Sequence, residues 1–89
     1  MARHISALKR ARQNKKRRLR NQSRKTRVKS VVRDVRQAVT QKDAAAAETA
    51  LTKAVPIIAQ VAGKGTLHWR AAARKISRLT RQVNALKSV

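Results

Sequence analysis

One stretch constrains this chain more than any other. From Lys9 to Lys29 it reads KRARQNKKRRLRNQSRKTRVK: 21 residues with 12 Lys or Arg and no Asp, Glu, Gly or Pro. Almost every residue in it is an acceptable helix former, so the local preference is helical. A helix built from it points charge outward on every side and has no stripe to bury in a protein core. Like charges one turn apart, such as Lys16 and Arg20, oppose the helix further. The groups that balance this segment must therefore come from outside the protein, and a dense polyanion that surrounds it is the simplest source.

The rest of the composition agrees. The chain has 89 residues, 24 basic and 3 acidic, for a formal charge of +21. That is enough for one domain with a thin core, and self-repulsion on this scale opposes compaction. There is no Cys, which excludes disulfides and thiolate metal sites. Trp69 is the only aromatic residue, and readers of single-stranded nucleic acid built on several stacked bases need more. MARHISALKR lacks the apolar centre of a secretory signal, and AVPIIAQVAG is too short to span a bilayer. The Arg-rich start and the KKRR string echo transit and nuclear-import signals, as strings in any basic nucleic-acid binder do.

Organisation follows from hydrophobic spacing. Ser6, preceded by Ile5, is positioned to cap a helix that meets no breaker until Gln41; residues 6–41 would span about 54 Å. In its second half Val28, Val32, Val35 and Val39 recur at spacings of 4, 3 and 4, flanked by Val31 and Ala38. Leu8 and Leu19 fall nearly opposite that stripe, so residues 6–27 form an arm that projects past the packed segment. After a turn at Gln41-Lys42, Asp43 caps a second helix, 43–62, with a stripe of Ala47, Leu51, Ala54, Ile58 and Val61. Pro56 falls on its outer face, about 140° from Leu51, where a bend, not a break, is expected. Gly63-Lys64-Gly65 ends that helix. Thr66 is expected to cap a third, 66–87, whose core stripe is Trp69, Ala72, Ile76, Leu79, Val83 and Leu86. Opposite it Arg70, Arg74, Arg78 and Arg81 share about 80° of arc. The expected fold is all-α: an antiparallel three-helix bundle with a long basic N-terminal helix projecting beyond it.

Nothing here is arranged for catalysis. Asp34, Asp43 and Glu48 are scattered, with Asp34 expected to pair with Arg33 or Arg27. His4 and His68 are far apart and lack ligand-spaced companions, and GKG lacks the flanks of a nucleotide loop. No enzyme activity, metal or cofactor is expected. The partner is nucleic acid. A recognition helix in a DNA groove has one reading face and one supporting face. An arm basic on all sides fits a crevice between RNA helices instead. Arg17, Arg18 and Arg20 can fork onto phosphates, and Asn14, Asn21, Ser23 and Thr26 can reach ribose hydroxyls.

Two stretches, SALKRARQNKKRRLRNQSRKTRVKS and GKGTLHWRAAARKISRLTRQVNAL, resemble the bacterial small-subunit ribosomal protein family S twenty, and the likeness runs over nearly the whole chain. The resemblance implies a three-helix bundle that binds 16S ribosomal RNA directly and early in small-subunit assembly. It also implies a cytoplasmic protein, monomeric in the particle and low in the body of the subunit. It carries over Ser6, Lys9, Arg10, Asn14, Lys16, Arg17, Arg18, Leu19, Arg20, Asn21, Ser23, Lys25 and Thr26 from the first stretch. From the second it carries Gly65, His68, Ala72, Ala73, Arg74, Lys75, Ser77, Arg78 and Leu79. Where the family commonly has a basic residue and then Asn after the His, this chain has Trp69 and Arg70. Ile76 stands where Lys is frequent, which moves it toward the edge of the stripe. Taken together, the expected RNA-contacting residues are Ser6, Lys9, Arg10, Arg12, Asn14, Lys15, Lys16, Arg17, Arg18, Arg20, Asn21, Ser23, Arg24, Lys25, Thr26, Lys29, His68, Arg70, Arg74, Lys75, Ser77, Arg78 and Arg81.

The competing readings are a DNA-compacting nucleoid protein and a membrane-surface helix. The second needs a broad apolar face opposite the charge, which residues 9–27 lack. Because nothing in the chain offsets the entropy of ordering residues 9–25, they are expected to be disordered alone and to order on binding. Amide exchange in those residues should be fast in the free protein and slow in the RNA complex; strong protection without RNA would contradict it.

Overall fold

A computed structural model describes residues 2–88, the side chains of residues 2–4 excepted, so the His4 ring lies outside the described set. Three helices follow in order, α1 (Ala2–Thr40), α2 (Ala44–Gly63) and α3 (Trp69–Lys87). Asp43 Oδ1 accepts from the Ala46 N–H at 3.1 Å, capping α2 as its position suggests. Lys87 Nζ meets Glu48 Oε1 at 2.7 Å, which sets the end of α3 beside the start of α2. Thr66, just past α2, bonds Arg24 of α1. Successive helices thus run in opposite directions. The envelope measures 68 × 22 × 14 Å, a narrow bundle with a long extension.

The core is a seam of small apolar side chains: Val28, Val35 and Ala38 of α1, Ala47, Ala54, Ile58 and Val61 of α2, Ala72, Leu79 and Val83 of α3. Val35, Ile58 and Val83 are the largest fully buried side chains. Alanines at the contacts let helix axes approach closely. Val31, Val32 and Val39 are only half-buried, so the buried line on α1 runs through Val28, Val35 and Ala38. Ile76 is half-buried, at the edge of its stripe. Pro56 is exposed and α2 continues through it, so the helix does not stop near Val55.

Several expected boundaries move. Ser6 is no cap, because α1 is already helical from Ala2. The arm is regular helix, continuous with the packed half, where disorder was expected of residues 9–25 in the protein alone. Good helix formers without a breaker extend a nucleus that tertiary contacts have already stabilised. Helix α3 begins three residues later than Thr66. The Thr66 hydroxyl is engaged elsewhere, and His68 takes the N-cap instead, its Nδ1 accepting from the Arg70 N–H at 3.1 Å. Trp69 is not core: it is 64 % exposed, and Leu67 in the preceding loop packs against the core in its place. At this end α1 continues as the charged arm, which offers Trp69 no apolar partner.

The first connection is tight. Lys42 sits at φ 58, Lys42 N–H donates to Val39 O at 3.0 Å, and Asp43 N–H donates to Ala38 O at 3.1 Å. This is a Schellman closure with a side chain in the left-handed position, where glycine is favoured. Gly65, at φ 79, holds the equivalent place after α2 and donates to Ala62 O at 3.0 Å. Replacing Lys42 by Gly should relieve the strain and stabilise the bundle by about 0.5–1 kcal/mol, read as a raised denaturation midpoint at unchanged m-value.

Candidate nucleic-acid interface

The basic groups fall on three surfaces. The first is the arm. Every side chain from Ile5 to Ser23 is exposed, which includes Ser6, Lys9, Arg10, Arg12, Asn14, Lys15, Lys16, Arg17, Arg18, Arg20 and Asn21. No carboxylate lies in this stretch, and the chain's three acids are engaged elsewhere. Asp43 caps α2, Glu48 pairs with Lys87, and Asp34 lies 3.9 Å from Arg33. Both members of the last pair are well exposed, so it is worth little.

The second surface is α3. Arg70, Arg74, Ser77, Arg78 and Arg81 are all exposed. At 100° per residue they lie within about 100° of arc, so Ser77 joins the arginine face. Lys75 leaves this face. It lines, with Val28, Lys29, Val32, Arg33, Arg36 and Gln37, a groove of about 470 Å³ between α1 and α3. The floor is apolar and four cations line it, which makes a third basic surface. Arg33 and Arg36 were not among the expected residues. Their signal was the 4, 3 spacing of Lys29, Arg33 and Arg36, a basic line running beside the valine stripe.

The arm meets the bundle at a tether. Thr66 Oγ1 donates to Asn21 Oδ1 at 3.2 Å and accepts from Arg24 Nη1 at 3.3 Å. Arg24 is half-buried, so it and Asn21 spend part of their bonding capacity inside the protein. The Thr26 hydroxyl donates to Gln22 O at 2.9 Å, leaving its lone pairs for a donor. Ser23, Lys25 and Lys29 are exposed around this junction. His68 accepts at Nδ1, so its ring proton is on Nε2 and the ring can still donate.

Among the described residues no group of three or more His, Asp or Glu could hold a metal. No described helix is long and apolar enough to cross a membrane.

Comparison with known proteins fits this arrangement. The family model described as Ribosomal protein S20 matches residues 2–84. A protein named small ribosomal subunit protein bS20 from Nitratidesulfovibrio vulgaris (strain DSM 19637 / Miyazaki F) is 53 % identical over 87 residues, covering 98 % of this chain and all of the relative. Its namesake in Geobacter metallireducens is 49 % identical over 86 residues, covering 97 % of this chain and 99 % of the relative. That in Syntrophobacter fumaroxidans is 48 % identical over 86 residues, with 97 % and 100 % covered. This is a structural ribosomal protein, not an enzyme. The chain belongs to the ribosomal protein S20 family.

The tether gives a direct test. Both bonds are near the long end of the hydrogen-bond range and partly solvated, so each contributes at the low end of about 0.5–1.5 kcal/mol. Thr66→Val should cost about 1 kcal/mol in chemical unfolding. A double-mutant cycle with Asn21→Ala should return a coupling of about 0.5 kcal/mol, and zero coupling would mean the pair does not form in solution.

Proposed function

We propose that this protein acts in the cytoplasm as a monomeric constituent of the small ribosomal subunit and binds 16S ribosomal RNA directly, holding two RNA segments together. The arm of α1 enters a crevice where phosphates approach from several sides. The arginine face of α3 docks on a neighbouring RNA surface, and the α1–α3 groove takes a phosphodiester strand between Lys29, Arg33, Arg36 and Lys75. The observation that carries this reading is the arm: 19 consecutive exposed residues, 5–23, without one acidic group among them. A protein core cannot use such a helix, and phosphates on several sides can. The names of the relatives support a place in the small ribosomal subunit. The role is structural: phosphates that repel one another are brought together by neutralisation.

Binding should then depend steeply on salt. With about ten phosphates neutralised, the slope of log affinity against log salt is about −9 for duplex-like sites. Replacing Lys16, Arg17, Arg18 and Arg20 with Ala should reduce the slope by about 3–4, measured by filter binding to a 16S transcript over a potassium chloride series. Equal affinity for random duplex DNA and for folded 16S RNA at physiological salt would overturn the reading in favour of a nucleoid protein.

A further inference from the structure

The chain's only aromatic side chain with a large π surface stands in the open. Trp69 opens α3 and is 64 % exposed. The His68 ring stacks with it at 5.8 Å between centroids and 25° between planes. The Arg70 guanidinium carbon lies 5.2 Å from the ring centroid. Three planar groups in succession thus lie against one another, with His68 and Arg70 packed on the indole, each of the three carries a hydrogen-bond donor, and most of the indole stays open to solvent. The backbone beneath is held: His68 is the helix cap, and Thr66 ties the loop to α1 through Asn21 and Arg24. This fixes the indole where the arm leaves the bundle, next to the first arginine of the α3 face.

We propose that Trp69 is a stacking platform for one unpaired nucleobase of the bound RNA, with Arg70 and His68 bonding the phosphate or base edge of the same nucleotide. The proposal rests on the RNA-binding reading above and adds a base contact to what is otherwise phosphate recognition. Large aromatic faces exposed to water are costly unless covered, and every base offers a π face to cover them. A protein partner would be met by a contiguous apolar patch. The side chains on either side of Trp69, His68 and Arg70, are exposed and polar, whereas the apolar Leu67 and Ala71 nearby are half-buried. The platform also lies between two phosphate-binding surfaces, on the path of any strand that reaches from the arm to α3. Single-base stacking of this kind anchors a nucleotide without reading a long sequence.

Because the chain has one Trp, its fluorescence reports this site alone. Titration of the full-length protein with a 16S transcript should quench the emission saturably, in parallel with filter binding. Trp69→Ala should weaken binding about 5- to 150-fold, Trp69→Phe should recover part of the loss, and Trp69→Leu should behave like Ala. The salt slope should stay unchanged in all three, whereas Arg70→Ala should lower it by about 1. An exposed position makes the variants foldable, which circular dichroism checks. Normal RNA binding with unquenched emission, or equal affinity of the Phe and Leu variants, overturns the platform while leaving the RNA reading intact. Quenching seen only after other ribosomal proteins are added assigns the ring to a protein contact. Failure of the wild-type protein to bind the transcript overturns both.

Discussion

Three carboxylates cannot balance 24 cationic side chains, and the fold spends all three in the bundle half of the molecule. The rest of the structure follows from that imbalance. A segment without counter-charge cannot be packed against another segment of the same chain, so it must extend, and α1 extends. A segment with an apolar stripe can be packed, and the second half of α1 is. The boundary between the two halves is the point where Val28 begins the buried line.

The core that anchors this arrangement is small. It is made of Val and Ala with one buried Ile and one buried Leu, and no buried polar group is present among the described residues. Such a seam contributes specificity through close helix approach more than through buried area, since Ala removes little surface from water. The connections matter more than usual as a result. Each is short, holds one residue at positive φ and leads to a side-chain cap: Lys42 hands over directly to Asp43, and Gly65 is followed by Thr66 and Leu67 before His68.

Much of this was legible in the residues. Spacings of 3 and 4 marked all three helices, the Asp43 cap and the outward face of Pro56, because those features depend on local periodicity and local hydrogen bonding. The errors share a different cause. Trp69 continues its stripe on paper, yet beside it α1 has become the charged arm, and only the placement of Leu67 shows which side chain fills the core there. Thr66 has the chemistry of a cap, yet Asn21 and Arg24, 45 and 42 residues away in sequence, claim its hydroxyl. Ser6 likewise has a cap's chemistry, but nothing before it stops the helix. The arginine face of α3 was readable from its own spacing. The groove walled by Arg33, Arg36 and Lys75 was not, since it exists only once α1 and α3 lie side by side.

Because the arm and the packed half are one unbroken helix, the molecule is a lever. Some 20 residues beyond the bundle carry the tip about 30 Å from its support. A tilt of about 10° at the valine seam would sweep that tip by roughly 5 Å, close to the pitch of one helical turn. The packing of a few methyl groups against Ile58 and Val83 therefore sets where distant guanidinium groups meet their targets. A force on the tip is in turn felt as torque on the core.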